Sequence, residues 1–202
     1  KEEQELPPVS VEHPSILITS ISKKMPLIDA VRNATDKLAQ FQLIYGCDSH
    51  EFCIGQYGVD EFWHCPPLDE LTAEDVISYC LEHKITAIIP TRNADLEFYA
   101  RYLPLFQKQG IQPMVSSLET ITTCLDKKQF AETLLKNRFP VIPAFLSLDE
   151  FQAFQADLYV VKERKGTGSQ QIGLQLTREE ALEHSRKLKE PLFQPYIKGV
   201  EW

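Results

Sequence analysis

Glycine is scarce in this chain, eight of 202 residues, and the segment TSISKKMP after the first expected strand contains none. Neither G-x-G-x-x-G nor G-x-x-x-x-G-K-[ST] occurs. Both motifs place phosphates on a helix N-terminus through a strand–loop–helix turn. Their absence argues against a nicotinamide- or flavin-dependent oxidoreductase. Long apolar runs are also missing; the longest fall far short of the ~20 residues a spanning helix needs, so a membrane is not an expected partner. No dense Lys/Arg stripe is present, and 21 basic against 29 acidic residues give a formal net charge of −8. Nucleic acid is therefore not expected either. No signal peptide is visible, and the first residue is Lys1 rather than Met, which reads as an expression boundary.

The five cysteines, Cys47, Cys53, Cys65, Cys80 and Cys124, are odd in number and scattered. That pattern fits reduced thiols in a cytoplasmic protein better than a disulfide framework. Cys47, His50, Cys53, His64 and Cys65 bunch together but lack C-x-x-C spacing, so zinc is not the expectation.

What is there belongs to a globular protein: 43% apolar and 25% charged residues. Residues 1–14, charged and with three prolines, read as a disordered tail. Residues 16–19 form a short buried-type strand. Leu27, Ile28, Val31, Ala34 and Leu38 then recur at helical spacing, with Pro26 where a first turn tolerates it. FQLIYG (41–46) is the next strand, and residues 59–62 a further candidate. Thr72 caps a helix carrying Val76, Ile77, Cys80 and Leu81. TAIIP is a strand, residues 95–109 one helix stopped by Gly110, and QPMVS another strand. Strands alternating with helices predict a parallel sheet covered on both faces, a Rossmann-like domain over 15–116.

From 117 to 202 the grammar changes to α+β. Two helices follow closely, 118–124 and one N-capped by Asp126 that runs to about Asn137. FPVIPAF is a connector; LYVVKE, IGLQL and LFQPYI are strands with an antiparallel pair at the centre. Thr177-Arg178-Glu179-Glu180 is a capping box. The glycine-rich stretch 163–171 lies between two strands rather than before a helix. Its bare N–H groups could form an anion-binding concavity. Lys162, in an otherwise apolar strand, must reach solvent or meet an anion, because burying an unpaired ammonium is costly.

In order and spacing, DKKQF, PVIPAF, LYVVKERKGTGSQQIGL and LFQPYIKGVEW resemble the front half of an ATP-grasp domain. This is the nucleotide-binding fold of biotin carboxylase, of the carbamoyl phosphate synthase large subunit and of many carboxylate–amine ligases. ILITSISKKMPLIDAVRNA and ITAIIPTRNADLEFYA are similar to the Rossmann-like domain preceding it in carbamoyl-phosphate-synthase-like members. The fold class implied is α/β: a Rossmann-like pre-ATP-grasp domain with a parallel sheet, followed by the α+β N-terminal (lid) subdomain of an ATP-grasp fold.

The resemblance implies ATP as cofactor, with Lys127 and Lys162 on the phosphates. Gly166, Thr167, Gly168 and Ser169 would be the covering loop, Gln194, Pro195, Tyr196 and Ile197 the adenine hinge, and Glu201 the ribose ligand. Gln194 stands where the family often has Glu, and accepts without charge. A small carboxylate is the implied second partner, with Ser22, Lys23, Lys24, Thr91, Arg92 and Asn93 at strand ends as candidates. A homodimer is allowed. Mg²⁺ is the implied metal, its ligands expected beyond residue 202, with none in this chain. The sequence ends inside an expected strand and reads as a truncation. The expectation is therefore an ATP-binding part without turnover, from a parent ligase that activates a carboxylate or bicarbonate as an acylphosphate for capture by an amine or other nucleophile. The alternative is a non-catalytic nucleotide-binding or regulatory module.

Overall fold

The computed structural model describes residues 14–38, 43–150, 156–166 and 171–199. The chain divides into two compact units, Lys1–Leu118 and Glu119–Trp202. The expected tail lies, Pro14 apart, outside the described residues.

The first unit is a five-stranded parallel sheet in the order β3-β2-β1-β4-β5. β1 (Ser15–Thr19) is central, and α1 (Met25–Lys37) follows it with Pro26 in its first turn. β2 is Ile44–Asp48, the first two residues of the expected 41–46 strand lying outside the described residues, and β3 is Glu61–His64, two residues later than the sequence suggested. The reason is Asp60, whose carboxylate accepts from the Ile44 N–H at 2.7 Å and from Arg32. That bond fixes where the two strands begin to run together.

α2 (Ala73–Glu82) opens on a full capping box, Thr72 exchanging hydrogen bonds with Asp75. β4 (Ile85–Ile89) leads to α3 (Asn93–Arg101) and α4 (Leu103–Lys108) where one helix was expected. Pro104 explains the break. It has no N–H to give, and its ring would collide with the carbonyl of Ala100, but it is tolerated in the first turn of a new helix. Gly110 (φ 74°) ends α4 as expected. β5 is only Gln112–Pro113, and the Met114 N–H just beyond it still reaches the Ile88 carbonyl at 2.8 Å.

Successive residues of the strands face opposite layers. Leu17, Tyr45, Ile85 and Ile88 pack with Val76, Cys80, Tyr99 and Phe106 of α2, α3 and α4. Ile18 and Ile44 pack with Ile28 of α1 on the other face. Burial on both faces is what a parallel sheet requires.

The second unit carries α5 (Leu118–Leu125) and α6 (Lys127–Lys136), then a three-stranded antiparallel sheet in the order β7-β6-β8. Its strands are β6 (Tyr159–Glu163), β7 (Gly173–Leu176) and β8 (Pro191–Pro195), at the three segments that the sequence marked as strands. α7 (Arg178–Ser185) opens on the Thr177/Glu180 capping box. Tyr159, Val161 and Phe193 pack with Ala181 of α7. Leu192 turns to the other face and packs with Ala131 of α6. Among the described residues no helix is long and apolar enough to cross a membrane.

Candidate functional site

Two places gather the chemistry, one in each unit. In the second, the site grows from the junction of α6 and β6. Asp126 caps α6 by accepting from the N–H groups of Lys128 (3.0 Å) and Gln129 (3.2 Å). The same carboxylate takes Arg164 Nε on both oxygens at 2.9 Å and Arg164 Nη2 at 2.6 Å. Arg164 comes first among the causes that hold Asp126 below the usual carboxylate range. The Lys127 N–H closes the clamp on the Arg164 carbonyl at 3.2 Å. Thus the first turn of α6 is tied to the end of β6 by one buried carboxylate.

The clamp decides where Lys127 goes. Its Nζ donates to the carbonyls of Arg164 (3.4 Å) and Gly166 (3.2 Å), at the mouth of the glycine-rich stretch. Gly166 has φ 148°, a conformation that only glycine adopts without strain. Asp126 also answers the dipole problem that two lysines create at a helix start. Lys128 points elsewhere, to the Ala144 carbonyl and to Glu132 and Glu150.

Lys162 pairs across the sheet with Leu192 and so shares its face, the one against α6. Its ammonium has no hydrogen-bond or ion-pair partner among the described residues. Burial first, and the nearby Lys127 charge second, push its pKa below the ordinary lysine value. Two cations held near each other, one of them half-buried and without a partner among the described residues, are a costly arrangement that a negative charge would relieve.

Gln194 pairs with Val160, two residues from Lys162, and therefore lies on the same face. Its Nε2 donates to the Ile142 carbonyl at 3.3 Å. Pro195 ends β8, the Tyr196 N–H donates to the Leu158 carbonyl at 2.9 Å, and Ile197 is exposed. Thr167, Gly168, Ser169 and Glu201 lie outside the described residues. Arg164 had no role in the sequence reading; the only local signal was its place after Lys162.

In the first unit the carboxyl ends of β1, β2 and β4 converge on two buried carboxylates. Asp95 accepts from Thr19 Oγ1 and Ser20 Oγ, both at 2.8 Å, and from Arg92 Nε and Nη2 at 3.2 and 3.0 Å. Asp48 accepts from the Ser22 N–H (2.9 Å) and Oγ (2.7 Å), and from the His50 N–H and Nδ1 at 3.0 Å. Burial pushes the Asp48 carboxyl up, and the Ser22 and His50 donors together outweigh it, leaving it below the usual range. For Arg92, burial works against the charge, but Asp95 prevails and raises the guanidinium pKa. Thr91 Oγ1 ties the loop to the Thr19 and Ser20 carbonyls.

Of the six strand-end candidates, Ser22, Thr91 and Arg92 enter this cluster. Lys23, Lys24 and Asn93 have no side-chain partner among the described residues. A groove of about 620 Å³ opens beside the cluster, lined by Ser49, Asp69, Arg92, Phe98, Arg101 and Tyr102 among others. Arg92 is the one candidate that lines it. The sequence reading missed Asp48, Asp95 and Ser20. Asp48 at the end of a strand was the available signal. No group of three or more His, Cys, Asp or Glu side chains among the described residues is placed to hold a metal ion.

No protein-family model and no curated protein matches the chain. Solved structures do. The biotin carboxylase domain of Hydrogenobacter thermophilus 2-oxoglutarate carboxylase, crystallised with MgADP, ADP and bicarbonate, is 18% identical at a TM-score of 0.66, over 93% of this chain and 45% of that one. Staphylococcus aureus N5-carboxyaminoimidazole synthetase, complexed with ADP, is 18% identical at a TM-score of 0.65, over 93% and 49%. Campylobacter jejuni biotin carboxylase, in a β-γ-ATP complex, is 14% identical at 0.64, over 91% and 45%. The chain thus spans about half the length of these relatives. A parallel five-stranded sheet followed by a small antiparallel one is the fold that this chain shares with the N-terminal domains of ATP-grasp ligases.

Proposed function

We propose that this chain is the nucleotide-binding portion of an ATP-dependent ligase of the ATP-grasp type. The observation that carries the reading is the half-buried Lys162 ammonium, without a partner among the described residues, close to Lys127 at the mouth of a glycine-rich stretch. A cation in that position is costly until an oxyanion arrives, and a polyphosphate is an oxyanion that the bare backbone after Gly166 could cover. Lys162 and Lys127 hold phosphate oxygens in this reading. The face shared by Val160, Lys162 and Gln194 runs from the phosphates to a hinge at Gln194–Ile197 that takes adenine. Relatives of the same fold crystallised with ADP support it.

The strand-end cluster of the first unit, with Ser22, Thr91 and Arg92, is proposed to meet the acceptor, a small carboxylate or bicarbonate. Lys23, Lys24 and Asn93, on the same strand-end loops, remain candidates. The overall reaction is acylphosphate formation followed by capture by an amine or other nucleophile; bicarbonate as acceptor fits biotin-carboxylase-like as well as carbamoyl-phosphate-synthase-like chemistry. Magnesium, when bound, neutralises the phosphate charge. Among the described residues no group of three or more His, Cys, Asp or Glu side chains is placed to hold it.

The test is Mg·ATP-dependent stabilisation of the chain, wild type against Lys162→Ala. Saturation a hundredfold above Kd stabilises by about 2.7 kcal/mol. The wild type should show a rise in melting temperature that the variant loses; equal behaviour of the two overturns the reading. NADH should give none. Nucleotide binding without substrate-dependent ADP release from the whole protein would favour the regulatory module.

A further inference from the structure

The strand-end cluster opens on a groove whose volume, about 620 Å³, lies within the range of pockets that enclose small organic molecules. An ion the size of bicarbonate would leave most of it to water. The composition of the walls says what else the space suits.

One wall is a single stripe of α3 and the residue after it. Ala94, Phe98 and Tyr102 recur every fourth residue and so share one helical face. At 1.5 Å of rise per residue they span about 12 Å. Phe98 is held in place, its ring meeting Tyr99 edge-on at 5.1 Å and Tyr102 at 5.2 Å. It packs in part against the core of the first unit, so the wall is formed before any ligand arrives. Pro67 and Leu68, from the loop after β3, add apolar surface from a second element.

The cation of the groove stands at the start of that stripe. Arg92 is the N-cap residue of α3, and its Nε and Nη2 are committed to Asp95. Its Nη1 has no partner among the described residues, and half of the side chain is exposed. A guanidinium fixed along one edge by a buried carboxylate keeps donors on another edge for a second one. Asp95 offsets much of the charge, so the hold on an anion comes chiefly through those donors. Arg101, by contrast, is occupied by Glu97 at 2.8 Å. Asp69, which is exposed, adds negative charge to the lining and disfavours a ligand with a second anionic group.

We propose that this groove selects, as the acceptor of the ligase, a monocarboxylate with an apolar body of ring size. The carboxylate sits on Arg92 Nη1, and the body lies along Ala94, Phe98 and Tyr102. The inference rests on the reading of the strand-end cluster as the acceptor's place, and it sets bicarbonate aside as the groove's occupant.

The experiment titrates the full chain, without nucleotide, with phenylacetate, phenylpropionate and phenylbutyrate by isothermal calorimetry. Affinity should rise about fourfold per methylene added along the series, the gain from moving that group out of water. Phenylbutyramide, which lacks the charge, should bind about tenfold more weakly than the acid. Arg92→Lys keeps a cation for Asp95 but lacks the fork, and should also lose about tenfold. Ala94→Trp fills an exposed position on the wall and should abolish binding; the wild-type series needs no variant to fold. A flat series, an amide that binds as well as the acid, displacement of phenylbutyrate by an equal concentration of bicarbonate, or binding that survives Ala94→Trp overturns the proposal. Mg·ATP protection without binding of the acids would sink this inference alone. Binding of the acids without Mg·ATP protection would sink the nucleotide reading and leave the groove its ligand.

Discussion

In the first unit the carboxylates of Asp48 and Asp95 are surrounded by donors; in the second the ammonium of Lys162 has no partner among the described residues. Asp95 takes four hydrogen bonds and Asp48 four. Those interactions are complete in the folded chain and stabilise it. Lys162 carries the opposite sign of contribution: its charge costs the fold something, and a ligand would remove the cost. The Asp48 and Asp95 carboxylates are satisfied by the chain itself, whereas the Lys162 ammonium gains from whatever anion binds beside it.

Substitutions can break or sharpen that contrast, starting with the strongest. Asp95→Ala leaves two hydroxyls without their charged acceptor and should cost about 2–3 kcal/mol, the range for hydrogen bonds to a charged group; the half-exposed Arg92 adds little. A urea titration followed by Trp63 fluorescence reads it. A cost near zero would mean that the cluster is not holding the strand ends together.

Asp126→Ala removes a helix cap, worth about 1–2 kcal/mol. It also frees Arg164 and so loosens Lys127. Mg·ATP protection should fall along with stability. Retained protection would separate the clamp from the site.

Ser22→Ala should cost about 1 kcal/mol at neutral pH, one net hydrogen bond to a carboxylate. The folded Asp48 pKa lies below 3.8, so its stabilisation is present above that value and is lost as pH falls through the folded pKa. The difference between variant and wild type should therefore shrink under acid. An offset constant down to pH 2 would contradict the assignment.

Lys162→Met is the smallest effect and has the opposite sign. Without nucleotide the variant should match or exceed the wild type at pH 7. The folded lysine pKa is lowered, so the penalty is full below it and is relieved as pH rises towards the ordinary 10.5. The advantage of the methionine should vanish above that pH. A clear loss of stability at pH 7 would show that Lys162 is structural.

Local features were legible in the sequence. The Thr72 and Thr177 caps, the Asp126 cap and the β–α alternation follow from neighbours within a few residues. The single helix over 95–109 failed at Pro104, a breaker that helical periodicity alone overruled. Lys162 stood out because a lysine in an apolar strand demands an explanation. The Asp126–Arg164 clamp joins residues 38 apart, and the Thr19–Asp95 bond spans 76. Only the fold brings such partners together, so no window of sequence announces them.

Pro113, finally, bears on what β5 can pair with. At a margin of the parallel sheet it withdraws the amide that an incoming strand would need, on a ribbon two residues long. That flank is closed to lateral growth. A second polypeptide seeking to prolong the sheet would have to join at the opposite border, along Glu61–His64.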